Sequence, residues 1–130
     1  MINFSSTEEG FLPRRLANGA RYLSVFSSSD ATVYPNETIT LRLGFSLTHN
    51  DRYSVLIATN PILLERDLIV LNSVLYPSPE ATVLVKNCHY DKVIIKKYSP
   101  IASIFIVQDS TVDLVHSGKA KFEVINDTNR

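Results

Sequence analysis

The chain has 130 residues with 13 basic and 13 acidic side chains, so its formal net charge is zero. That length is enough for one domain with one hydrophobic core, and the balanced charge argues against a general nucleic-acid binder. Cys88 is the only cysteine, which excludes an intrachain disulfide and fits a reducing compartment. No apolar stretch approaches the roughly 20 residues of a membrane span and no secretory signal is evident. We therefore expect an intracellular protein that does not bind membranes.

In chain order, the sequence predicts a series of short strands. Residues 1–10 are polar and lack periodicity, and we expect them to form a loose N-terminal arm. Further on, alternating or β-branched apolar segments predict strands at 38–43, 53–58, 68–71, 81–85, 93–95, 101–107 and 119–124. The one helix predicted is short, over 61–66, with Asn60 as its N-cap and Pro61 at the first helical position.

Turn residues separate these strands at 34–37, 49–51, 77–79 and 97–100, a spacing typical of an all-β sandwich or barrel. We expect a single domain over residues 1–130, in which 110–130 supply a C-terminal strand and tail. The predicted core comprises Leu41, Leu43, Phe45, Val70, Val83, Val85, Ile101, Ile104 and Ile106. Ile101 and Ile104 differ in strand parity, so a bulge or a strand buried on both faces must reconcile them.

Residue types that carry chemistry are sparse. The histidines His49, His89 and His116 share no ligand spacing with Cys88, which indicates surface histidines rather than a metal site. The four glycines are far apart and cannot form a phosphate-binding loop, and no carboxylate pair stands out. Five basic residues have two interpretations, a local basic patch or strand edges protected by lysine. They are Lys86, Lys92, Lys96, Lys97 and Arg66. The residues alone predict a soluble all-β domain with no catalytic, cofactor or metal site.

Six segments resemble, in order, motifs of the trimeric dUTPase family. They cover most of the chain from residue 12 to residue 107. The segments are 12–15 with 19–22 (Leu-Pro-Arg-Arg and Gly-Ala-Arg-Tyr), 31–37 (Ala-Thr-Val-Tyr-Pro-Asn-Glu), 43–47 (Leu-Gly-Phe-Ser-Leu), 68–75 (Leu-Ile-Val-Leu-Asn-Ser-Val-Leu), 83–87 (Val-Leu-Val-Lys-Asn) and 95–104 (Ile-Lys-Lys-Tyr-Ser-Pro-Ile-Ala-Ser-Ile). The resemblance implies a dUTPase-like β-barrel or jelly roll of the β-clip type, with at most one or two short helical turns.

The chain departs from the family pattern where the enzymes bind and hydrolyse nucleotide. The Asp that orients the attacking water is replaced by Tyr76, and the Tyr that packs on the deoxyribose by Pro79. The phosphate-binding arg-ser-gly falls at Thr59-Asn60-Pro61, where no guanidinium remains and Pro61 lacks a backbone donor. Leu23 occupies the position of the Asp in the first motif, and Ser103 occupies the position of the Gln in the fourth motif. The glycine-rich C-terminal arm is also missing, because the only glycine in the last half of the chain lies at 118.

These departures predict a scaffold that has lost its active site. In this the chain is similar to the adenoviral early-region proteins derived from dUTPase, which act by binding host signalling proteins. The resemblance implies a non-catalytic viral protein of the host cytoplasm or nucleus that binds host or viral proteins, with no cofactor and no nucleotide. Two alternatives are a divergent nucleotide-binding enzyme of the dUTP pyrophosphatase type and an unrelated all-β structural or virion protein.

Assembly as a homotrimer is a further expectation. Residues 61–71 contain more apolar side chains than one small barrel readily buries, and a three-fold interface would cover the excess. The predicted strand at 119–124 lies where relatives exchange a C-terminal strand between subunits. A monomer is the alternative, because Arg66 and Asp67 interrupt the apolar run.

Overall fold

A computed structural model of the chain describes residues 2–108, which form ten strands and one short helix. The elements are β1 Ile2–Ser6, β2 Leu23–Phe26, β3 Ala31–Val33, β4 Thr38–Arg42, β5 Phe45–His49, β6 Tyr53–Thr59, α1 Pro61–Glu65, β7 Leu68–Val70, β8 Thr82–Asn87, β9 Val93–Ile95 and β10 Pro100–Gln108. No helix in this part of the chain has the length and hydropathy needed to cross a membrane. The expected strand at 119–124 and the tail at 110–130 lie outside the described residues.

The strands pair antiparallel in four small sheets, with orders β1-β5, β2-β10-β6, β3-β9 and β4-β8-β7. Most neighbours in a sheet are distant in sequence, and the sheets enclose one core in a jelly-roll-type arrangement. The all-β fold with one short helix is therefore confirmed. The strands predicted between residues 38 and 107 are all present, with boundaries that differ by at most two residues.

The core lies between the sheets and includes eight of the nine residues predicted for it. The exception is Ile106, which is 44% exposed, so that prediction is wrong. The core ends at Ile104, and the last four residues of β10 extend beyond it. The parity conflict between Ile101 and Ile104 is resolved by a register shift between Pro100 and Ala102, followed by four successive buried residues.

The N-terminal segment corrects another expectation. Residues 2–6, predicted to be part of a loose arm, form β1 and pair in register with β5. Phe4 packs edge-on against Phe45, with ring centroids 5.7 Å apart. Farther along, Phe11 is only 1% exposed and stacks on Tyr98 at 4.8 Å. Two aromatic side chains thus hold a polar segment against the barrel.

The predicted helix is confirmed in detail. Asn60 is extended and its Oδ1 accepts a hydrogen bond of 2.8 Å from the Ile62 amide, while Pro61 opens the helix. The turn at 34–37 also forms, with Asn36 in the left-handed region at φ 66° and the Glu37 amide donating to the Tyr34 carbonyl. Capping side chains and turn residues act over two or three positions, which is why sequence reasoning reaches them.

Candidate functional site

The segment that the resemblance assigns to phosphate binding has its polar groups committed to the fold. Thr59 Oγ1 accepts a hydrogen bond of 3.0 Å from the Val70 amide, and this contact ties β6 to β7. Asn60 caps the helix with its side chain, and its amide donates to the Ile101 carbonyl at 2.9 Å. Since Pro61 has no amide proton, the segment offers a phosphate no positive charge and few free donors.

The segment that would read the base forms an irregular loop after β7. Tyr76 is 72% exposed and Pro79 is exposed as well. Tyr76 borders a small cleft of about 190 Å³, whose lining residues are Asn72, Val74, Leu75, Tyr76, Pro77, Ser78, Ala81 and Thr82. None of these eight residues carries a carboxylate. The neighbouring acid, Glu80, contacts the Arg42 guanidinium at 3.5 Å.

Strand register brings two of the departed motif positions together. Ser103 lies opposite Ala58 on β6, one residue from Thr59, so the segment assigned to phosphate binding and the fourth-motif segment are adjacent. Ser103 is 8% exposed and offers a short hydroxyl in place of a long amide. Leu23 is half-buried opposite Ile104. The Tyr76 loop lies across β6 from this pair, where Val74 bridges to β6.

The basic residues, which the sequence leaves open as a patch or as protected strand edges, lie in separate environments. Arg66 and Lys92 line an open cleft of about 420 Å³ together with His89 and Asp91. The Arg66 Nη2 donates to the Ile94 carbonyl at 2.5 Å and so covers the edge of β9. Lys97 lies elsewhere, with its ammonium 5.4 Å from the Tyr98 ring. Covered strand edges describe this region better than one continuous patch does.

The histidines, the cysteine and the acidic residues of 2–108 form no cluster that fits a metal ion. No group of three or more His, Cys, Asp or Glu side chains could hold a metal ion there. His89 Nδ1 lies 3.0 Å from Asp67 Oδ2, and its ring packs on Tyr90 at 4.2 Å. Cys88 is exposed next to this pair. His49 Nδ1 contacts the Asn50 carbonyl, and His116 lies outside the described residues.

An exposed apolar row crosses the outer side of the β2-β10-β6 sheet, and sequence reasoning did not predict it. Phe105 lies directly opposite Leu56 in the ladder, and Leu56 in turn opposes Val74. Tyr22 continues the row, with its ring 5.8 Å from that of Phe105. Tyr22, Leu56 and Phe105 are 38%, 41% and 37% exposed. We call Tyr22, Leu56, Val74 and Phe105 the β6–β10 face; Leu56 and Phe105 lie on one side of the sheet because they are cross-strand partners.

The apolar side chains of residues 61–71 are divided between the core and the surface. Leu63, Leu68 and Val70 enter the core. The other four apolar side chains remain exposed and are Ile62, Leu64, Ile69 and Leu71. Exposed apolar side chains on both sides of the Thr59 segment are therefore the most prominent candidate interaction surface of the described chain.

Comparison with known proteins agrees with this architecture. No family model and no curated protein matches the sequence. The structure is similar to that of the dUTPase from phage phi11 of S. aureus, with TM-score 0.74 and 13% identity over 84% of this chain and 90% of that one. The dUTPase of Staphylococcus bacteriophage 80alpha gives the same TM-score, identity and coverage. The EIAV dUTPase matches with TM-score 0.70 and 10% identity over 85% of this chain and 90% of that one.

Identities this low define the fold alone. The chain therefore has a dUTPase-like β-fold, as the resemblance of its motifs predicted. The structural match spans about nine tenths of each of these enzymes. What the fold does in this protein depends on its own side chains.

Proposed function

We propose that this chain is a non-catalytic dUTPase-like protein, of viral origin, that acts inside the cell by binding host or viral proteins. The observation that carries the proposal is the Thr59-Asn60-Pro61 segment. Thr59 and Asn60 satisfy backbone groups of their own chain, and Pro61 removes a donor. Binding a triphosphate requires a cluster of charge-assisted donors, which this segment does not offer.

The Tyr76 loop supports the same conclusion. Hydrolysis needs a general base within hydrogen-bond reach of the attacking water, and Tyr76 supplies no carboxylate for that role. The cleft beside Tyr76 has no carboxylate in its lining. Glu80, the adjacent acid, is oriented towards Arg42.

A binding role fits the exposed apolar surface and the precedent of the fold. Monomeric proteins rarely leave large contiguous apolar patches in water, and such patches mark interaction sites. The dUTPases of Staphylococcus bacteriophage 80alpha are described as controlling the transfer of virulence genes by a G protein-like mechanism. A dUTPase fold can thus carry a regulatory role, and we place this chain in that class together with the adenoviral proteins that it resembles.

We further propose that the β6–β10 face packs against copies of the same chain in a homotrimer. The resemblance implies a trimer, and the face supplies an uncharged apolar row of four side chains. The exposed Ile69 and Leu71 extend the apolar surface on the neighbouring sheet. Closed symmetry would bury the same face in every subunit.

Isothermal titration with dUMP and dUpNHpp tests the central proposal. dUpNHpp is the analogue present in the complex of the bacteriophage 80alpha dUTPase, so that enzyme is the positive control. The proposal predicts no saturable heat for this chain at concentrations that saturate the control. Saturable binding to either nucleotide would instead favour a divergent nucleotide-binding enzyme.

A further inference from the structure

The connection that leads into β2 is an exposed loop with few internal bonds. Arg14 and Ser24 exchange two backbone hydrogen bonds of 3.1 and 2.7 Å, which close the loop at its base. Inside it, the Ala20 amide donates to the Ala17 carbonyl at 3.2 Å, and residues 15–19 are all exposed. A segment with so few buried contacts reorganises at a low cost in free energy. We call residues 15–22 the Asn18 loop.

Asn18 and Gly19 are the two central residues of a tight turn in this loop. The hydrogen bond between Ala17 and Ala20 spans the turn, and Gly19 at its third position has a φ of +78°. That angle is typical of a type II turn, which favours glycine at this position. The turn thus explains the glycine, and it also places a side-chain amide directly before a residue without a side chain.

An asparagine followed by glycine can react with its own main chain. The Gly19 nitrogen and Asn18 Cγ can close a succinimide ring, and because both atoms belong to one dipeptide the reaction needs no encounter of separate reactants. A side chain on the following residue crowds that ring, and glycine has none. A Cβ built at Gly19 would meet nothing within 4 Å, so the surroundings of the turn leave room for the ring.

The other asparagines that the structure describes lack this combination. None of them precedes a glycine, and Asn60 precedes a proline, which has no amide proton to lose. Hydrogen bonds to the backbone fix the side chains of four of them, Asn50, Asn60, Asn72 and Asn87. Asn18 is exposed, and no bond of this kind holds its side chain within residues 2–108.

We propose that Asn18 is a site of spontaneous modification, at which the chain converts its own asparagine to aspartate and isoaspartate. The Gly19 nitrogen loses its proton to a base in solution and attacks Asn18 Cγ, which forms the new N–Cγ bond. The Cγ–Nδ2 bond breaks, and Nδ2 takes up a proton and leaves as ammonia. Water then opens the ring at Cγ, which gives aspartate, or at the main-chain carbonyl carbon, which gives isoaspartate. No atom is oxidised or reduced, and each conversion consumes a water and releases an ammonia.

The conversion changes the charge of the loop and leaves the core intact. The segment 14–21 contains three arginines and no acid, and the new carboxylate is ionised at neutral pH. Because the bonds between Arg14 and Ser24 close the loop at its base, we expect the barrel to be unchanged. The loop ends at Tyr22, so the converted and unconverted forms differ in charge beside the β6–β10 face. This inference is independent of the proposed binding function and goes beyond it.

Timed incubation of the purified full-length protein, followed by peptide mapping, tests the proposal. Mass spectrometry detects the Asn-to-Asp mass change at each asparagine, and electron-transfer fragmentation separates isoaspartate from aspartate. Digestion in water enriched in heavy oxygen marks any conversion that occurs during digestion. A synthetic peptide of residues 14–24 is the reference for an unfolded chain. We expect Asn18 to convert before Asn50 and Asn72, and faster in mildly alkaline than in mildly acidic buffer, because the attacking nitrogen must lose a proton.

Two variants separate the roles of the two residues. Gly19→Ala keeps the asparagine and adds the Cβ that crowds the ring, so conversion at Asn18 should slow by about tenfold or more, which corresponds to about 1.4 kcal/mol in the barrier. Asn18→Gln is the matched control, because it keeps a side-chain amide but needs a larger ring, and it should not convert at that position. Urea unfolding of the converted protein should match that of fresh protein.

Two results would overturn the proposal. The first is an intact Asn18 in the folded protein after the reference peptide has converted completely. The second is an equal rate of conversion in the parent and in Gly19→Ala. If Gly19→Ala fails to fold, the order in which Asn18, Asn50 and Asn72 convert in the parent still decides, and conversion of Asn18 after the other two would contradict the assignment. The nucleotide titration does not depend on this loop, so the two proposals fail or succeed separately.

Discussion

At Gly44 the backbone packs closely against the buried ring of Phe11. Its φ is +78°, and a Cβ placed there would lie 2.5 Å from Phe11 Cβ and 2.7 Å from its Cγ. The Phe11 ring is 1% exposed and stacks on Tyr98, so it has little room to move. Glycine is required here both for its conformation and for the space it leaves.

Gly44→Ala should therefore lower the free energy of unfolding by about 2 to 4 kcal/mol, the sum expected from left-handed strain and overpacking. Gly19→Ala is the matched control, because Gly19 has the same φ with nothing within 4 Å of the added Cβ. It should lose only about 1 kcal/mol from strain. Urea unfolding measures both, and equal losses would show that the Phe11 contact does not limit the substitution.

At this scale the sequence predicted interactions between near neighbours and missed distant ones. Asn60 was identified as a cap because its partner is two residues away. Thr59 could not be identified as a structural residue, because the amide it accepts from belongs to Val70, eleven residues on. Asn87 was noted only because it matches a motif of the dUTPase family. It is fully buried, and its side-chain Nδ2 donates hydrogen bonds to the carbonyls of Val33 and Asp91.

At the scale of elements, the helix α1 has only five residues and lacks acidic residues in its first turn. So short a helix is unstable by itself, and its start depends on the Asn60 cap. The cap also fixes the segment that the resemblance assigns to phosphate binding.

Asn60→Ala should cost about 0.5 to 2 kcal/mol of stability, whereas Asn60→Asp retains an acceptor at the N-cap and should stay near the parent. Thermal unfolding of the two variants provides the comparison. If Asn60→Ala matched the parent, the side chain would be free of its structural role, and one support for the loss of phosphate binding would be removed.

The strands show why element prediction succeeded for some segments only. β4, β6 and β8 alternate or carry β-branched runs, so their own residues favour an extended form. β1 is short and polar, and it becomes a strand through pairing with β5, whose residues lie 39 to 47 positions further along the chain. β10 was predicted as a strand, but the point at which it leaves the core, after Ile104, depends on the position of the other sheets.

At the scale of the whole molecule, the trimer is tested by sedimentation equilibrium at micromolar concentration. We expect about three times the chain mass of 14.6 kDa. Leu56→Glu places a charge in the β6–β10 face and should give a monomer, since burying an unpaired charge is costly. Ile94→Glu, at a similarly exposed apolar residue outside the face, should remain trimeric. A single-chain mass for the parent protein would show that the trimer is wrong.

The central claim, that the dUTPase-like fold is kept here without its chemistry, is tested most directly by a hydrolysis assay. Purified protein free of host enzyme is incubated with dUTP and Mg²⁺, and dUMP and pyrophosphate are measured against a buffer blank. With Tyr76 in place of a carboxylate and Thr59-Asn60-Pro61 committed to the fold, we predict no turnover above the blank. Turnover above the blank that increases with protein concentration would contradict the account.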